Sequence, residues 1–491
     1  VITILFSALL LPAADMSAAT AAPLPEQDAM ITIWPLVDYR ENRLTKSSRL
    51  SLLGPLLSFD KQSDETISAL RPLFHTTNDR HSPSSYSYYL YPLASSETTP
   101  DVSRMQLLQL FQKNTFRKAE PAETEHEFML FPLIISGESK QHGPYTSIFP
   151  LYGDLYGRFY RDEHHYVLFP LYSRTVNKGT TNYNFLWPFF SVTRGENESG
   201  FQLWPLYGQA SKEGSYNSRF ALWPIYSAEE RGLNSDNPTH RFTLFPLYSA
   251  FDSATVTSRT FLWPFFGYWS DRKENEEGRD YLWPFWLTVS GEKRNIFRLL
   301  PFYSDERAPD STKNWYLWPF FRTDTMQSSL YRQESLSVLF FLFSDRVESW
   351  AVDDKSRRRT ALWPLFVYSR DVDDSMSLTL PALIEPVLDR DGIEKVWAPL
   401  WRVYVQKWNS HGDSSLSLFW NLYWHDRSKD SRGWELFPLV RQRSAPSFFE
   451  LQILKGLINY SENGSRNRLS ILWLPFGIDW QSAAAVKESK P

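Results

Sequence analysis

Hydrophobic positions along this chain come in bunches. A five-residue run of the form Leu-aromatic-Pro-apolar-aromatic returns from end to end, and polar stretches with short alternating flanks lie between the copies. Clear copies include Ile33-Trp-Pro-Leu-Val37, Ile148-Phe-Pro-Leu-Tyr152, Leu186-Trp-Pro-Phe-Phe190, Leu203-Trp-Pro-Leu-Tyr207, Leu222-Trp-Pro-Ile-Tyr226, Leu262-Trp-Pro-Phe-Phe266, Leu317-Trp-Pro-Phe-Phe321 and Leu362-Trp-Pro-Leu-Phe366. Weaker copies centre on Pro55, Pro72, Pro92, Pro381, Pro399, Pro438 and Pro475. Together with copies that lack Pro, as around Leu339-Phe-Phe341 and Phe419-Trp-Asn421, they make about 24 units spaced by about 19 residues, a period that marks a repeat architecture.

The linkers decide the type of element. In Ser191-Val-Thr-Arg-Gly-Glu-Asn-Glu-Ser-Gly-Phe-Gln202, β-formers flank a Gly-Glu-Asn turn, which is the signature of a hairpin. Linkers show no sustained 3.6-residue apolar period, and a Pro in every unit would break helices. Helix is therefore expected only as a minor component, near Asp101 to Phe116. The predicted fold is an all-β tandem array, one unit per strand or hairpin, running as an antiparallel meander.

Closure is the open question. In Arg219-Phe-Ala-Leu-Trp-Pro-Ile-Tyr-Ser227 both alternating faces are apolar, so the middle of each unit is expected to be a core covered on both sides. An outer-membrane-type barrel is the closure expected first: an even unit count suits it, and Leu472, Leu474, Phe476, Ile478 and Trp480 alternate as in an aromatic-ended closing strand. A hairpin solenoid, with Pro at the bend between hairpins, and a six-bladed propeller are the alternatives. In period and aromatic content the unit resembles the choline-binding and glucan-binding repeats, which implies hairpin seams of Trp and Tyr. The recurring Gly-Trp and Trp-Tyr-Tyr signatures of those repeats are missing, and no site residue is carried over.

Composition narrows the function classes. The 491 residues include no cysteine, which excludes disulfides, thiol nucleophiles and cysteine-held metals. Lys and Arg total 52 against 56 Asp and Glu, a formal charge of −4, so charge makes no case for a nucleic acid or an anionic membrane surface as partner. Aromatics make up 16% of the chain, enough for a large buried surface. Residues 1–22 read as a signal peptide: the apolar run to Leu11 is followed by Ala19-Thr20-Ala21. Residues 30–480 are expected as a single repeat-built domain, with 380–480 as variant terminal units and 481–491 as a polar tail.

No Gly-x-Ser-x-Gly elbow, phosphate loop or HExxH helix occurs. Arg161-Asp-Glu-His-His165 is the one metal-like cluster, and a solvated hairpin tip is its expected setting; Arg357-Arg-Arg359 is expected in a solvated turn. A carboxyl-terminal set, Trp397, Trp401, Trp420, Trp424, Arg402 and Asn421, has the aromatic faces and planar polar groups that stack on sugars. Variant terminal units are the alternative account of those residues. The resulting expectation is a non-enzymatic protein of the bacterial cell envelope, without a cofactor, exported to the outer membrane or periplasm of a Gram-negative-type bacterium. It would be a structural or transport scaffold with the outer membrane as its partner, or a secreted or periplasmic array binding envelope glycan.

Overall fold

A computed structural model describes residues 29–42, 46–108, 110–117, 125–139, 142–352, 354–474 and 476–481. The proposed signal peptide and nearly all of the polar tail lie outside the described residues, as does Pro475. Strand accounts for 62% of the chain and helix for 3%, so the all-β expectation holds. The described residues form 46 strands, most of five to eight residues, about two for each sequence unit. One repeat is therefore one hairpin. The stretch Asp101 to Phe116, expected as the place for helix, is instead the strands Val102–Leu107 and Phe111–Phe116, paired in register. Helix appears at Ile393–Trp397 and Ala398–Trp401, where the repeat is interrupted.

Proline explains the layout. Each clear pentad is a tight turn between strands and not a mid-strand segment: Glu198–Leu203 ends at Leu203, Trp204-Pro205-Leu206 turns, and Tyr207–Lys212 begins directly opposite Leu203. A residue without an N–H costs nothing at a position where no ladder donor is required. The polar linkers form the opposite hairpin ends, as at Glu196-Asn197, where Asn197 adopts a φ of 55°. Two-sided burial of the pentads, expected from their composition, is not found. The turns stand at the end of the sheet, where much of each side chain meets solvent.

The chain divides into two compact units, one of residues 96–328 and the other of residues 1–95 with 329–491. In the unit of residues 96–328, successive strands from Val102–Leu107 to Phe321–Gln327 pair antiparallel. The two sheet faces differ. One carries small or polar residues nearest the turns, including the buried Ser147, Ser173, Asn184 and Ser304, with Asn184 Nδ2 donating to Ser173 Oγ at 3.0 Å. Aromatic rings lie over the glycines of this face: a β-carbon on Gly153 would stand 2.3 Å from Tyr166 Cε1. Ile135, Tyr145, Leu155 and Tyr166 form its buried apolar cluster.

The other unit holds both ends of the repeat array. Its first strand, Ala29–Ile33, pairs with Val37–Asn42, and its last, Ile478–Gln481, pairs with Arg466–Ile471. Among the described residues no hydrogen-bonded ladder closes the meander. Side chains join the early and late strands of this unit instead. Trp34 Nε1 donates to Phe419 O at 2.7 Å, Asn421 Nδ2 to Asp38 Oδ2 at 2.8 Å, and Arg71 Nε to Lys395 O at 2.9 Å.

Candidate functional site

The turn edge of the unit of residues 96–328 is built from the pentad upward. In the three-residue form, Leu206 N donates to Leu203 O at 2.8 Å and closes the turn, while Trp204 N donates to Phe189 O of the preceding turn at 2.7 Å. Trp223 N likewise donates to Pro205 O at 2.7 Å, and Trp263 N to Pro246 O at 2.7 Å. Successive turns are thus bonded to one another through their backbones. The rings before Pro follow that spacing: Trp204 and Trp223 have centroids 5.7 Å apart, as do Phe245 and Trp263.

In the four-residue form the first Leu of the pentad turns left-handed, with φ of 46° at Leu186, 47° at Leu222, 46° at Leu262 and 49° at Leu317. Glycine or asparagine adopts that conformation cheaply, whereas a branched side chain there costs on the order of 1–3 kcal/mol. These leucines gain no burial in return, being 48 to 56% exposed. The residue after Pro points outward in every one of these turns: Leu133, Leu151, Leu206, Ile225, Leu247, Phe265 and Phe302 are all exposed.

A third apolar row lies on the strand ends beside the turns, on the face opposite the small residues. Ladder partners carry it from strand to strand: Tyr172 faces Phe185, Phe185 faces Phe190, Phe190 faces Leu203, and Leu203 faces Tyr207. Charged residues cluster at the opposite end of the strands, at turns such as Glu196-Asn197, Arg272-Lys-Glu-Asn275 and Glu292-Lys-Arg294, while Asp280, Arg298 and Arg322 lie within two residues of their pentads. The clear pentads contain no charged residue at all. At roughly 200 Å2 per large side chain and about half exposure, the row after Pro alone presents on the order of 1,000 Å2. The largest apolar patch of an ordinary monomer is a few hundred Å2.

The six residues singled out for sugar stacking lie in the other unit, and the structure gives each an internal partner. Trp397 Nε1 donates to Tyr91 O at 2.7 Å, and its ring stacks on Trp401 at 6.5 Å. Trp401 Nε1 donates to both carboxylate oxygens of Glu385 at 3.2 Å. Arg402 pairs with Glu385 at 3.1 Å and with Glu394. Burial opposes the charge on Arg402, but those two carboxylates outweigh it and hold the guanidinium above its ordinary range. Trp420 Nε1 donates to Pro399 O at 3.0 Å, Asn421 reaches Asp38, and the buried Trp424 donates to Glu435 at 3.3 Å beneath the Arg40 guanidinium. Trp397, Trp401 and Arg402 are brought together around Glu385 and its helical segment; Trp420, Asn421 and Trp424 belong to the contact with the first strands.

Two further expectations change place. Arg161–Val167 is a strand, so the His pair is not at a hairpin tip; His165 bonds Asp154 and Glu163 while His164 points to the other face. Among the described residues no group of three or more His, Asp or Glu is placed to hold a metal. Arg357, Arg358 and Arg359 also lie on a strand, Lys355–Leu362, facing Asp371, Asp345 and Asp389. Sequence reasoning found the pentads but placed them inside; the signal for an outer edge was the Pro, which a central strand does not tolerate. Compared with known proteins, the chain matches no protein-family model and no curated protein sequence.

Proposed function

We propose that the protein is a non-enzymatic scaffold of the bacterial cell envelope that seats its turn edge in the lipid of the outer membrane. The observation that carries this reading is the uncharged, half-exposed apolar edge of residues 96–328, set against charged turns at the far ends of the same strands. Leucines held at positive φ and left in solvent are costly twice over, and a surface that desolvates them offsets both costs. Lipid suits a surface of this kind, being uncharged, extended and tolerant of imperfect packing, with Trp and Tyr at its border.

Strand length favours an edge that dips over a barrel that spans. Six residues rise about 20 Å, and a spanning strand needs about 9 to 11 residues. The polar hairpin ends would then face the aqueous side, free for a structural or transport role.

Flotation with vesicles of phosphatidylethanolamine and phosphatidylglycerol tests the reading. The full chain should rise with the vesicles, and a Leu206→Asp, Ile225→Asp, Leu247→Asp triple variant should stay below, because these side chains support no core. In an expressing Gram-negative cell the wild type should sediment with the outer membrane. A wild-type chain that remains with the soluble fraction in both assays, or a variant that floats equally well, overturns the reading.

A further inference from the structure

On the face that bears the strand-end aromatics, four neighbouring strands, Tyr216–Ala221, Tyr226–Arg231, Thr239–Leu244 and Tyr248–Ser253, enclose a depression of about 240 Å3. Register explains it. One cross-strand row runs Arg219, Ala228, Phe242, Ala250, and the next row outward runs Asn217, Glu230, His240, Asp252. Alanine at 228 and at 250 leaves room on either side of the Phe242 ring, each gap one strand spacing or roughly 5 Å wide. Tyr226 and Tyr248 flank the same ring on the turn side, with centroids 5.8 and 6.3 Å away.

We propose that this depression binds a single pyranose ring. Its volume lies below the usual range for drug-sized ligands, about 300–1,000 Å3, and suits one ring. Phe242, 38% exposed, offers an aromatic face to the C–H side of a sugar. The outer row supplies amide, carboxylate and imidazole side by side, and the inner row ends in a guanidinium. A hydroxyl both donates and accepts, so a sugar satisfies that mixture, whereas an anion would meet two carboxylates. Part of this capacity is unspent: among the described residues neither Asn217 nor Arg219 has a side-chain hydrogen bond or ion pair, while Glu230 meets only His240, at 3.3 Å, and Asp252 is held by Arg259 at 2.8 Å. The six residues first considered for sugar binding spend their polar groups internally; Asn217 and Arg219 do not. This site stands apart from the lipid reading and holds whether or not the turn edge meets a membrane.

Saturation-transfer NMR on the full chain with glucose, galactose and N-acetylglucosamine as separate probes tests the proposal. At least one sugar should receive saturation on its ring C–H protons. Ala228→Leu, which fills the depression from a half-buried strand position, should weaken that binding at least about tenfold, as should Arg219→Gln, which removes a side chain with no partner among the described residues. Circular dichroism matching the wild type identifies the folded variants. Absence of transfer from all three sugars, or undiminished transfer in either folded variant, overturns the proposal.

Discussion

Phe220 lies across the backbone of Gly208, its direct partner in the ladder, so closely that a β-carbon at 208 would stand 2.3 Å from Phe220 Cε1. The ring therefore occupies space that any other residue would need. Tyr166 over Gly153 and Trp269 over Gly278 repeat the relationship. Glycine in a strand costs backbone entropy, and the ring laid over it returns packing at the same place.

Gly208→Ala is expected to cost about 1–3 kcal/mol by forcing the ring aside. The test is a double-mutant cycle in urea with Phe220→Ala. Once the ring is gone the alanine has room, so the two costs should fall short of additivity by about 0.5–3 kcal/mol. Additive costs would show that the ring does not rest on Gly208.

Trp223 is a separate case, and it measures how far the sequence could be read. Its composition suggests a core residue, whose truncation would cost about 3–5 kcal/mol. It is 51% exposed and packs at a tilt against Trp204, so Trp223→Ala should cost about half of that. Chemical unfolding followed by circular dichroism gives the value. A full core-sized loss would mean that the turn edge is covered in solution.

Repeat number, strand type and hairpin turns were legible because they depend on local chemistry: Pro, Gly-Glu-Asn and alternating Phe, Tyr and Val act within a few residues. The outward setting of Leu222 and Trp223 was not, since an apolar pentad reads the same whether protein or lipid is to cover it. The helical segment at Ile393–Trp401 was missed because it is held by distant groups, including Tyr91 O on Trp397 and Arg71 on Lys395 O. The depression beside Phe242 depends on Ala228 and Ala250 falling in one cross-strand row, which only register discloses.

His75 makes a prediction about pH. It is 2% exposed, and burial first, then the charges of Arg71 and Lys395, lower its pKa to about 4. The unfolded chain takes up this proton near pH 6.5 and the folded chain does not until about pH 4. Stability should therefore be at its full value above pH 6.5 and fall through the window from 6.5 to 4, by at most about 3 kcal/mol. Urea midpoints at pH 7, 5.5 and 4 measure it against His75→Gln. Equal slopes for the two proteins would remove His75 as the cause.

Glu385 decides what the carboxyl-terminal tryptophans are for. It is 2% exposed, accepts from Trp401 Nε1, Arg402 and Ile384 N, and anchors the segment that interrupts the repeat. Removing one partner of a buried ion pair costs about 3–5 kcal/mol when the other charge is left uncompensated. Arg402 keeps Glu394, so Glu385→Ala should lower stability by less than that, by about 2 kcal/mol, through the lost Trp401 and Arg402 bonds. Glu385→Gln should cost less, because an amide oxygen still accepts from the Trp401 indole. A sugar platform built on Trp397 and Trp401 would behave in the opposite way, with stability nearly intact and glycan affinity lost. Urea denaturation of both variants, beside saturation transfer from the same three sugars, separates a structural clasp from a ligand site at these residues.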